Sequence, residues 1–324
     1  MILAGIDEAG YGPLLGPLVV GCCAMSVGDD APVDGDSWPD LWRSLRRIAS
    51  RTRKARKLHI NDSKLVYSPS VGLKGLEHSM LCLLSCRFGA IGCLNDLLRH
   101  VSPETLHHIA DHPWYIPAAD EKFPIELEAP AVGIMTNALK VELQQARCRV
   151  EHLAANVMLE GRYNAMVGQT RNKGSVLFSL SAGHIDTLLR QFANKGLIIV
   201  CDRQGGREHY GRLLQLMFED WQLEILKEQE DCSDYRLVHP DGRSARILFA
   251  TKSESTSMPT AVASMLCKYL REAMMHRFNA FWRMHLPDLV PTAGYYTDGL
   301  RFMKDIDAKR TAMGIDEARL VRSR

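Results

Sequence analysis

The sequence lacks the cysteine spacing and the long apolar runs that define several protein classes. Its nine cysteines are scattered, form no CxxC pair and include the neighbours Cys22 and Cys23 in an apolar segment. This usage argues against a zinc site and is typical of a reducing compartment. The apolar runs near the start are too short to span a bilayer, and no basic segment precedes them. We therefore expect a cytoplasmic monomer without signal peptide or membrane helix.

The chain also has no strong excess of charge of one sign. It carries 40 Lys and Arg against 38 Asp and Glu in 324 residues, a net charge of +2. Affinity for a polyanion must therefore come from local patches. Residues 43–57 form one, with eight basic residues and no acid. A solvated surface and a phosphate contact explain this run equally well. It follows an acidic stretch that contains Asp29, Asp30, Asp34, Asp36 and Asp40.

The order of the predicted elements indicates an α/β protein. A hydrophobic content of 46% is enough for a large core. We predict strands at 2–6, 18–25, 80–93 and 197–201, and two or three more between 223 and 249. We predict helices at about 138–160, 175–194, 207–221 and 259–281. The expected fold is a mixed β-sheet flanked by helices, with a C-terminal helical region. We predict one domain over residues 1–324, with surface insertions at about 28–57 and 102–170.

Two adjacent acids end the first strand, directly before a glycine-rich turn. Asp7 and Glu8 are followed by Gly10-Tyr11-Gly12-Pro13. Neighbouring strand residues point to opposite faces, so both acids reach one site only if the chain bends after them, as glycine allows. Paired carboxylates favour a hard cation such as magnesium or manganese. The alternative is an acidic turn without a metal.

Two further acids follow the same logic. Asp202 ends the apolar strand 197–201 before Gly205-Gly206, and Glu254 precedes a helix that Ser257 and Pro259 are suited to start. Strand ends at one edge of a sheet gather distant side chains into one cleft. One face of the following helix carries Ala261, Ser264, Lys268 and Glu272. Lys268 could brace a carboxylate site or simply pair with Glu272.

Three histidines offer a weaker metal hypothesis. His107, His108 and His112 lie close together near Trp114, but no other soft ligand accompanies them. We predict surface histidines at this point.

Several motifs together resemble type 2 ribonuclease H. In the order and character of that family, the sequence has GIDEAGYGPLLGPLVVG at 5–21, Asp62-Ser63-Lys64, the strand ending at Asp202, Lys252-Ser253-Glu254, TAVASMLCKYLRE at 260–272 and Gly294-Tyr295-Tyr296-Thr297. The spacing from Glu254 to Lys268 matches the family without a gap, whereas the segment 64–202 is longer than its compact core. Because the chain begins at the first strand, it looks closer to type 2 than to type 3, whose enzymes carry an extra N-terminal domain.

The resemblance implies a ribonuclease H-like fold and a metal-dependent endoribonuclease. The substrate would be an RNA/DNA hybrid or duplex DNA with embedded ribonucleotides, cut to leave 5′-phosphate and 3′-hydroxyl ends. The catalytic residues and metal ligands would be Asp7, Glu8, Asp202 and Glu254, holding two divalent ions, Mg²⁺ or Mn²⁺.

The resemblance also implies a set of substrate-binding residues. The backbone of Gly10, Tyr11 and Gly12, with Tyr295, would read the 2′-hydroxyl that distinguishes RNA from DNA. Lys64 would hold a phosphate, and Ser264 and Lys268 are assigned to the same surface. The segment 320–324 resembles a basic segment after the last helix of the family, which suggests a phosphate contact by Arg322 and Arg324.

Two positions depart from the family pattern. Tyr11 replaces an arginine between the two glycines, and Glu254 replaces an aspartate and is longer by one methylene, or about 1.5 Å. A displacement near 1 Å can cost on the order of 100-fold in rate. We therefore expect weak activity with magnesium or a preference for manganese. Alternatives are a non-catalytic nucleic-acid-binding protein on this fold and a nuclease that cuts DNA junctions, for which Tyr11 is the only hint.

Overall fold

A computed structural model of the protein describes residues 1–28 and 38–323. The acids Asp29, Asp30, Asp34 and Asp36, part of the predicted insertion 28–57, and Arg324 lie outside the described residues.

A mixed seven-stranded sheet forms the centre of the structure. The strands are β1 (Ile2–Ala9), β2 (Leu18–Ser26), β3 (Ala49–Ser50), β4 (Leu58–His59), β5 (Arg149–Met158), β6 (Leu197–Asp202), β7 (Gln222–Glu228), β8 (Cys232–Val238) and β9 (Ser244–Ala250). The strand order of the sheet is β5-β2-β1-β6-β9-β8-β7. Strands β1, β6 and β9 run parallel to one another, whereas the other neighbours in this sheet are antiparallel. Two short strands, β3 and β4, pair separately.

Helices cover the sheet and make up most of the C-terminal region. Three single-turn 3₁₀ segments lie at Pro113–Tyr115, Ser253–Ser255 and Glu317–Arg319. The helices are α1 (Leu41–Ser44), α2 (Ser63–Val66), α3 (Lys74–Phe88), α4 (Leu94–Val101), α5 (Pro103–Ile109), α6 (Ala129–Gln145), α7 (Glu160–Thr170), α8 (Lys173–Phe192), α9 (Gly211–Met217), α10 (Met258–His285) and α11 (Tyr296–Ala312).

The alternation of residues in β1 separates two apolar layers. Leu3 belongs to the layer that includes α10, whereas Ile2, Ala4 and Ile6 belong to the layer that includes α8. This is the two-residue period of a strand that is buried on both faces. Helices therefore lie on both sides of the central parallel strands, and the ends of those strands remain available for a site.

The parallel pairing sets the carboxyl ends of three strands beside one another. Ile6 pairs with Cys201, and Cys201 pairs with Phe249. The residues that follow these three positions therefore emerge at one edge of the sheet.

The predicted fold class is confirmed as a mixed sheet flanked by helices. The predicted strands 2–6, 18–25 and 197–201 and the predicted helix 175–194 correspond to β1, β2, β6 and α8. The region 223–249 contains three strands, and α10 covers the predicted helix 259–281. The predicted helix 207–221 is shorter, because α9 spans only Gly211–Met217.

Two element predictions are wrong. The sequence predicts a strand at 80–93, but α3 covers Lys74–Phe88 and buries the residues 80–85. A continuous apolar run does not by itself distinguish a buried helix from a buried strand. The helix predicted at 138–160 ends at Gln145, and Arg149–Met158 forms β5, which pairs with β2. This strand lies within the range 102–170 that the sequence assigns to an insertion.

Among the described residues, no helix is both long enough and apolar enough to cross a bilayer.

Candidate active site

Carboxylates from three parallel strands meet at one edge of the sheet. Asp7 and Glu8 lie near the end of β1, and Asp202 is the last residue of β6. Glu254 lies in the 3₁₀ turn that follows β9. The charges of Asp202 and Glu254 both act on Glu8, and that of Asp202 also acts on Asp7. The structure thus brings together the four acids that the sequence singles out.

Asp7 is buried. Burial raises its pKa well above the usual range, and the charges of Glu8 and Asp202 raise it further. A hydrogen bond with Ser264 lowers the pKa and opposes this effect. The Cys267 thiol donates to the Asp7 carbonyl at 3.2 Å. Helix α10 therefore holds both the side chain and the backbone of Asp7.

An uncompensated negative charge is also unfavourable on the other three acids, Glu8, Glu254 and Asp202. Burial, followed by the charge of Asp202, raises the pKa of Glu8 to about 7. Burial raises the pKa of Glu254 to about 7, with a further contribution from Asp202. Burial raises the pKa of Asp202, although Ser253 opposes this by donating to Oδ1 at 3.3 Å. Like charges in a partly buried site disfavour joint ionisation.

One lysine faces these acids. Burial lowers the pKa of Lys64, but the charges of Asp62, Asp7, Glu254 and Asp202 outweigh burial and leave the pKa above its usual value. The Ser63 amide donates to Ser264 Oγ at 3.4 Å, so Ser264 can give its own hydroxyl proton to Asp7. Ser264 thus connects Asp7 to the segment that carries Lys64.

The donor chemistry of this cluster suits a hard divalent cation. Glu8 Oε2 and Glu254 Oε2 are buried and have no hydrogen-bond partner among the described residues. Carboxylate oxygens are the ligands that magnesium and manganese prefer. Within residues 1–28 and 38–323, however, no three His, Cys, Asp or Glu side chains form a ready-made metal cluster. A cation would have to draw the four carboxylates together against their mutual repulsion.

The glycine turn and the segment around Tyr295 form one unit. Gly10 has a φ of +84°, which glycine adopts without strain. The amides of Leu14 and Leu15 both donate to the Gly294 carbonyl, at 2.7 and 3.1 Å. Tyr295 follows directly and is exposed. The residues assigned to ribose recognition therefore lie on two connected loops.

Sequence reasoning missed the residue that joins these loops. The buried Arg271 donates to the carbonyls of Leu15 at 3.3 Å and Ala293 at 2.9 Å. Its guanidinium carbon lies 5.8 Å from the centre of the Tyr295 ring. Arg271 belongs to the quoted motif 260–272, but only the fold shows that its side chain reaches both loops.

Lys268 has a different neighbourhood from Ser264. Its ammonium donates to Glu272 at 2.6 Å and lies 4.6 Å from the centre of the Tyr67 ring. Tyr67 also donates to Glu272, at 2.9 Å. The sequence allows either bracing of a carboxylate site or an ion pair with Glu272, and the structure shows the ion pair. The pair is largely enclosed, because the two side chains are only 16% and 15% exposed.

His112 and Arg322, which the sequence analysis also considers, are more buried than expected. His107 is exposed, but His112 is buried against Trp114, so the prediction of surface histidines is wrong for His112. Arg322 is only 3% exposed, which does not fit a basic side chain on an open surface. Its guanidinium donates to the Pro13 carbonyl.

A large cavity elsewhere is separate from the carboxylates. It measures about 1080 Å³ and is lined at the opposite end of the sheet by Met1, Ile2, Val27 and Lys195, among others. These residues lie at the start of β1 and the end of β2, so this cavity does not touch the carboxylate edge.

Comparison with known proteins identifies structural similarities but no sequence family. No protein-family model matches the chain. No curated protein matches it either. Similar solved structures include an RNase HII from Archaeoglobus fulgidus, in a complex with PCNA, at 16% identity and a TM-score of 0.43, covering 100% of this chain and 95% of the other. Ribonuclease H2 from Pyrococcus horikoshii OT3 shows 12% identity and a TM-score of 0.42, with 99% and 92% covered.

A third similar structure is RNase H3 from Aquifex aeolicus. It shows 12% identity and a TM-score of 0.36, with 99% of this chain and 71% of the other covered. Similarities at these low values do not assign an activity. The assignment of function depends on the residues of this chain.

Proposed function

We propose that this protein is a divalent-metal-dependent endonuclease of the type 2 ribonuclease H kind, which hydrolyses the RNA strand of RNA/DNA hybrids or cuts at ribonucleotides embedded in duplex DNA. The observation that carries the proposal is the meeting of Asp7, Glu8, Asp202 and Glu254 at one edge of the sheet. Asp7 and Glu8 come from the start of the chain and Asp202 and Glu254 from its second half, and the charge of Asp202 raises the pKa of each of the other three acids. Such a cluster is unfavourable for stability and is typical of a functional site.

The four carboxylates are the proposed ligands of two ions, Mg²⁺ or Mn²⁺. When bound, the ions would supply Lewis acidity for in-line hydrolysis of a phosphodiester, leaving 5′-phosphate and 3′-hydroxyl ends. The buried, unpartnered oxygens of Glu8 and Glu254 support this assignment.

The remaining residues would bind and orient the nucleic acid. Lys64, the cation beside the carboxylates, is the proposed contact to a phosphate near the scissile bond. The backbone of Gly10, Tyr11 and Gly12, with Tyr295, is the proposed reader of the 2′-hydroxyl. Ser264 would act indirectly, because its hydrogen bonds hold Asp7 and the segment of Lys64.

The decisive experiment is a cleavage assay with three labelled duplexes. One carries a single ribonucleotide in DNA, one is an RNA/DNA hybrid, and one is all DNA. Each is incubated with magnesium or manganese and with wild type, Asp7→Asn and Asp186→Asn. Asp186 is a matched control, since it is exposed on α8 and paired with Arg190. We expect cutting of the ribonucleotide-containing substrates by wild type and Asp186→Asn, and none by Asp7→Asn.

The other outcomes distinguish the alternatives. Cutting of the hybrid alone would reject recognition of single embedded ribonucleotides and retain the nuclease. Tight binding of hybrid without cutting in either metal would favour a non-catalytic nucleic-acid-binding protein. The absence of a ready-made metal cluster among the described residues is the observation that favours this second candidate. A branched all-DNA molecule, added as a fourth substrate, tests the third candidate, because cutting of it would favour a junction nuclease.

A further inference from the structure

The basic run at residues 43–57 places exposed cations on a buried support. Leu45, Ile48 and Leu58 are buried in the core. All eight cations of the run except Lys57 are at least largely exposed, and the run contains no acid. The apolar residues thus fix the segment, and the cations remain available for a partner.

The parallel pairing of β3 and β4 decides which part of this run lies near the carboxylates. Ser50 of β3 is paired with His59 of β4. The chain leaves β4 towards Lys64. Because the two strands run in the same direction, residues 51–54, which follow β3, start on the side of Lys64. The residues before β3 lie at its other end, where Arg47 donates to Gln145 at 3.3 Å.

The first residue of the loop after β3 is tied to the segment of Lys64. The Arg51 carbonyl accepts from Asn61 Nδ2 at 2.8 Å and lies 3.1 Å from His59 Nε2. Asn61 precedes Asp62, whose Oδ1 accepts from the Lys64 amide at 2.9 Å. The chain from Asn61 to Lys64, even fully extended, spans at most about 11 Å. The backbone of Arg51 therefore lies close to the lysine proposed to hold a phosphate.

Two tryptophans hold this segment in place. The Trp42 indole donates to the Ile60 carbonyl at 2.9 Å, and the guanidinium carbon of Arg51 lies 4.2 Å from the centre of the Trp42 ring. The Trp38 indole donates to the Thr256 carbonyl at 3.1 Å, directly after the 3₁₀ turn that carries the fourth carboxylate. The loop thus starts from a support that is fixed to two segments of the candidate active site, so few further groups need to be ordered on binding.

In the part of the chain that the structure describes, two cations of this loop form no ion pair. They are Arg53 and Lys54, both exposed, whereas Arg51 pairs with Asp40 at 3.7 Å. Burial lowers the pKa of His59, and the charge of Arg53 lowers it further. The charge of Arg53 therefore acts towards β4. Exposed charge of one sign is the feature that attracts a polyanion.

We propose that Arg51, Arg53 and Lys54 bind the phosphate backbone of a nucleic-acid duplex next to the bond that is cut. The position of the duplex rests on the proposed function, whereas the contact with a polyanion does not. The run 43–57, for which the sequence allows a solvated surface or a phosphate contact, is then divided in function. Its cations directly after β3 contact the duplex, and its cations before β3 form a solvated surface.

Binding without cleavage tests this contact. Labelled DNA duplex and RNA/DNA hybrid are titrated in EDTA at several salt concentrations. The variant Arg53→Gln/Lys54→Gln is compared with wild type and with Arg46→Gln/Arg47→Gln, which removes the same charge from the same run. We expect Arg53→Gln/Lys54→Gln to weaken binding about 10-fold and to reduce the salt slope by about two, one for each lost phosphate contact. Arg46→Gln/Arg47→Gln should bind as wild type.

A charge-preserving exchange separates charge from folding. Arg53→Lys/Lys54→Arg should bind as wild type, because a phosphate accepts from either cation. All variants should unfold at the same Tm as wild type, since each changed side chain is exposed. Equal affinity and equal salt slope in wild type and Arg53→Gln/Lys54→Gln would overturn the proposal. An equal loss in Arg46→Gln/Arg47→Gln would also overturn it, because overall charge and not position would then explain the binding.

Cleavage and a second polyanion separate the remaining cases. If wild type cleaves no substrate but Arg53→Gln/Lys54→Gln weakens duplex binding, the nuclease proposal fails and the duplex contact stands. If wild type cleaves and this variant binds and cleaves as wild type does, the nuclease stands and the duplex contact is overturned. Polyglutamate is the probe for an acidic polypeptide. If the variant loses affinity for polyglutamate but not for duplex, the loop binds a protein partner and the duplex contact is overturned.

Discussion

Gly5 of β1 lies so close to the start of α10 that a Cβ at this position would overlap the backbone of Thr260. Two residues further along β1, Asp7 interacts with Ser264 and Cys267 of the same helix. The absence of a side chain at Gly5 therefore permits the approach that positions Asp7.

Gly5→Ala should disrupt this contact and reduce both stability and activity. Because the overlap is with backbone and not with a flexible side chain, strand and helix must separate. Overpacking of this kind costs on the order of 3 kcal/mol. Urea unfolding of Gly5→Ala should show the loss. Gly133→Ala is the control, since nothing lies within 4 Å of a Cβ at this helical position. Equal stability of the two variants would refute the close approach.

The sequence identifies the four carboxylates more easily than the elements and contacts around them. Asp7 and Asp202 each follow a short apolar strand, and this local pattern can be recognised without knowledge of the fold. The segment 149–158 cannot be assigned in this way, because its apolar residues fit a helical period as well as a strand. Only pairing with β2 decides between them. Arg271 could not be found because its acceptors, the carbonyls of Leu15 and Ala293, lie far from it in sequence.

Magnesium or manganese should stabilise the folded protein, and more strongly at pH 8 than at pH 5. The pKa of both Glu8 and Glu254 is raised to about 7 from a usual value of 4.5. Between these values the folded state retains protons that the unfolded chain has lost, so stability without metal falls as pH rises from about 4.5 to about 7. A divalent ion binds the ionised carboxylates and reverses this loss.

Thermal unfolding with metal or EDTA at the two pH values measures the effect. Asp7→Asn should reduce the rise in Tm that the metal causes, whereas Asp186→Asn should leave this rise unchanged. A metal-induced rise in Tm that is identical in wild type and Asp7→Asn would place the ion elsewhere.

Glu254→Asp should raise the cleavage rate with magnesium relative to the cleavage rate with manganese. The longer glutamate moves its carboxylate by about 1.5 Å at fixed backbone, and a displacement near 1 Å costs on the order of 100-fold in rate. We expect the ratio of the manganese rate to the magnesium rate to fall in Glu254→Asp. Glu254→Gln, which keeps the length and removes the charge, should be inactive with both metals. A metal ratio unchanged by Glu254→Asp would show that the backbone already compensates for the extra methylene.

Lys268→Met should destabilise the protein by about 1–3 kcal/mol, because the half-buried Glu272 loses its ammonium partner and keeps only the Tyr67 hydroxyl and, at 3.6 Å, Arg271 Nη1. The partner loss also loosens Tyr67, which follows the helix that contains Lys64. Arg190→Met is the matched control, as it removes an i,i+4 pair with Asp186 that is exposed on both sides. Such exposed pairs contribute little to stability. Equal losses of unfolding free energy in the two variants would mean that burial adds nothing to the Lys268 pair.

His184 should make the protein less stable in mild acid. It is buried against β2, where Nε2 lies 3.0 Å from the Val20 carbonyl and 3.1 Å from Asn156 Nδ2. Burial lowers its pKa from 6.5 to about 4. Between these values the unfolded chain binds a proton that the folded protein does not. This contribution to stability is therefore fully present above pH 6.5 and is lost as pH falls towards 4, by at most about 1.4 kcal/mol per pH unit.

Urea unfolding at pH 7 and pH 4.5 measures the contribution of His184. The raised pKa values of the carboxylates change stability with pH in the opposite direction, so a variant of His184 is needed to separate the two effects. His184→Gln cannot take up the proton, so its loss of stability on acidification should be smaller than that of wild type. His107→Gln removes an exposed imidazole and should respond to acid as wild type does. If His184→Gln and wild type lose equal free energy between the two pH values, His184 is not the group that couples folding to protons in this range.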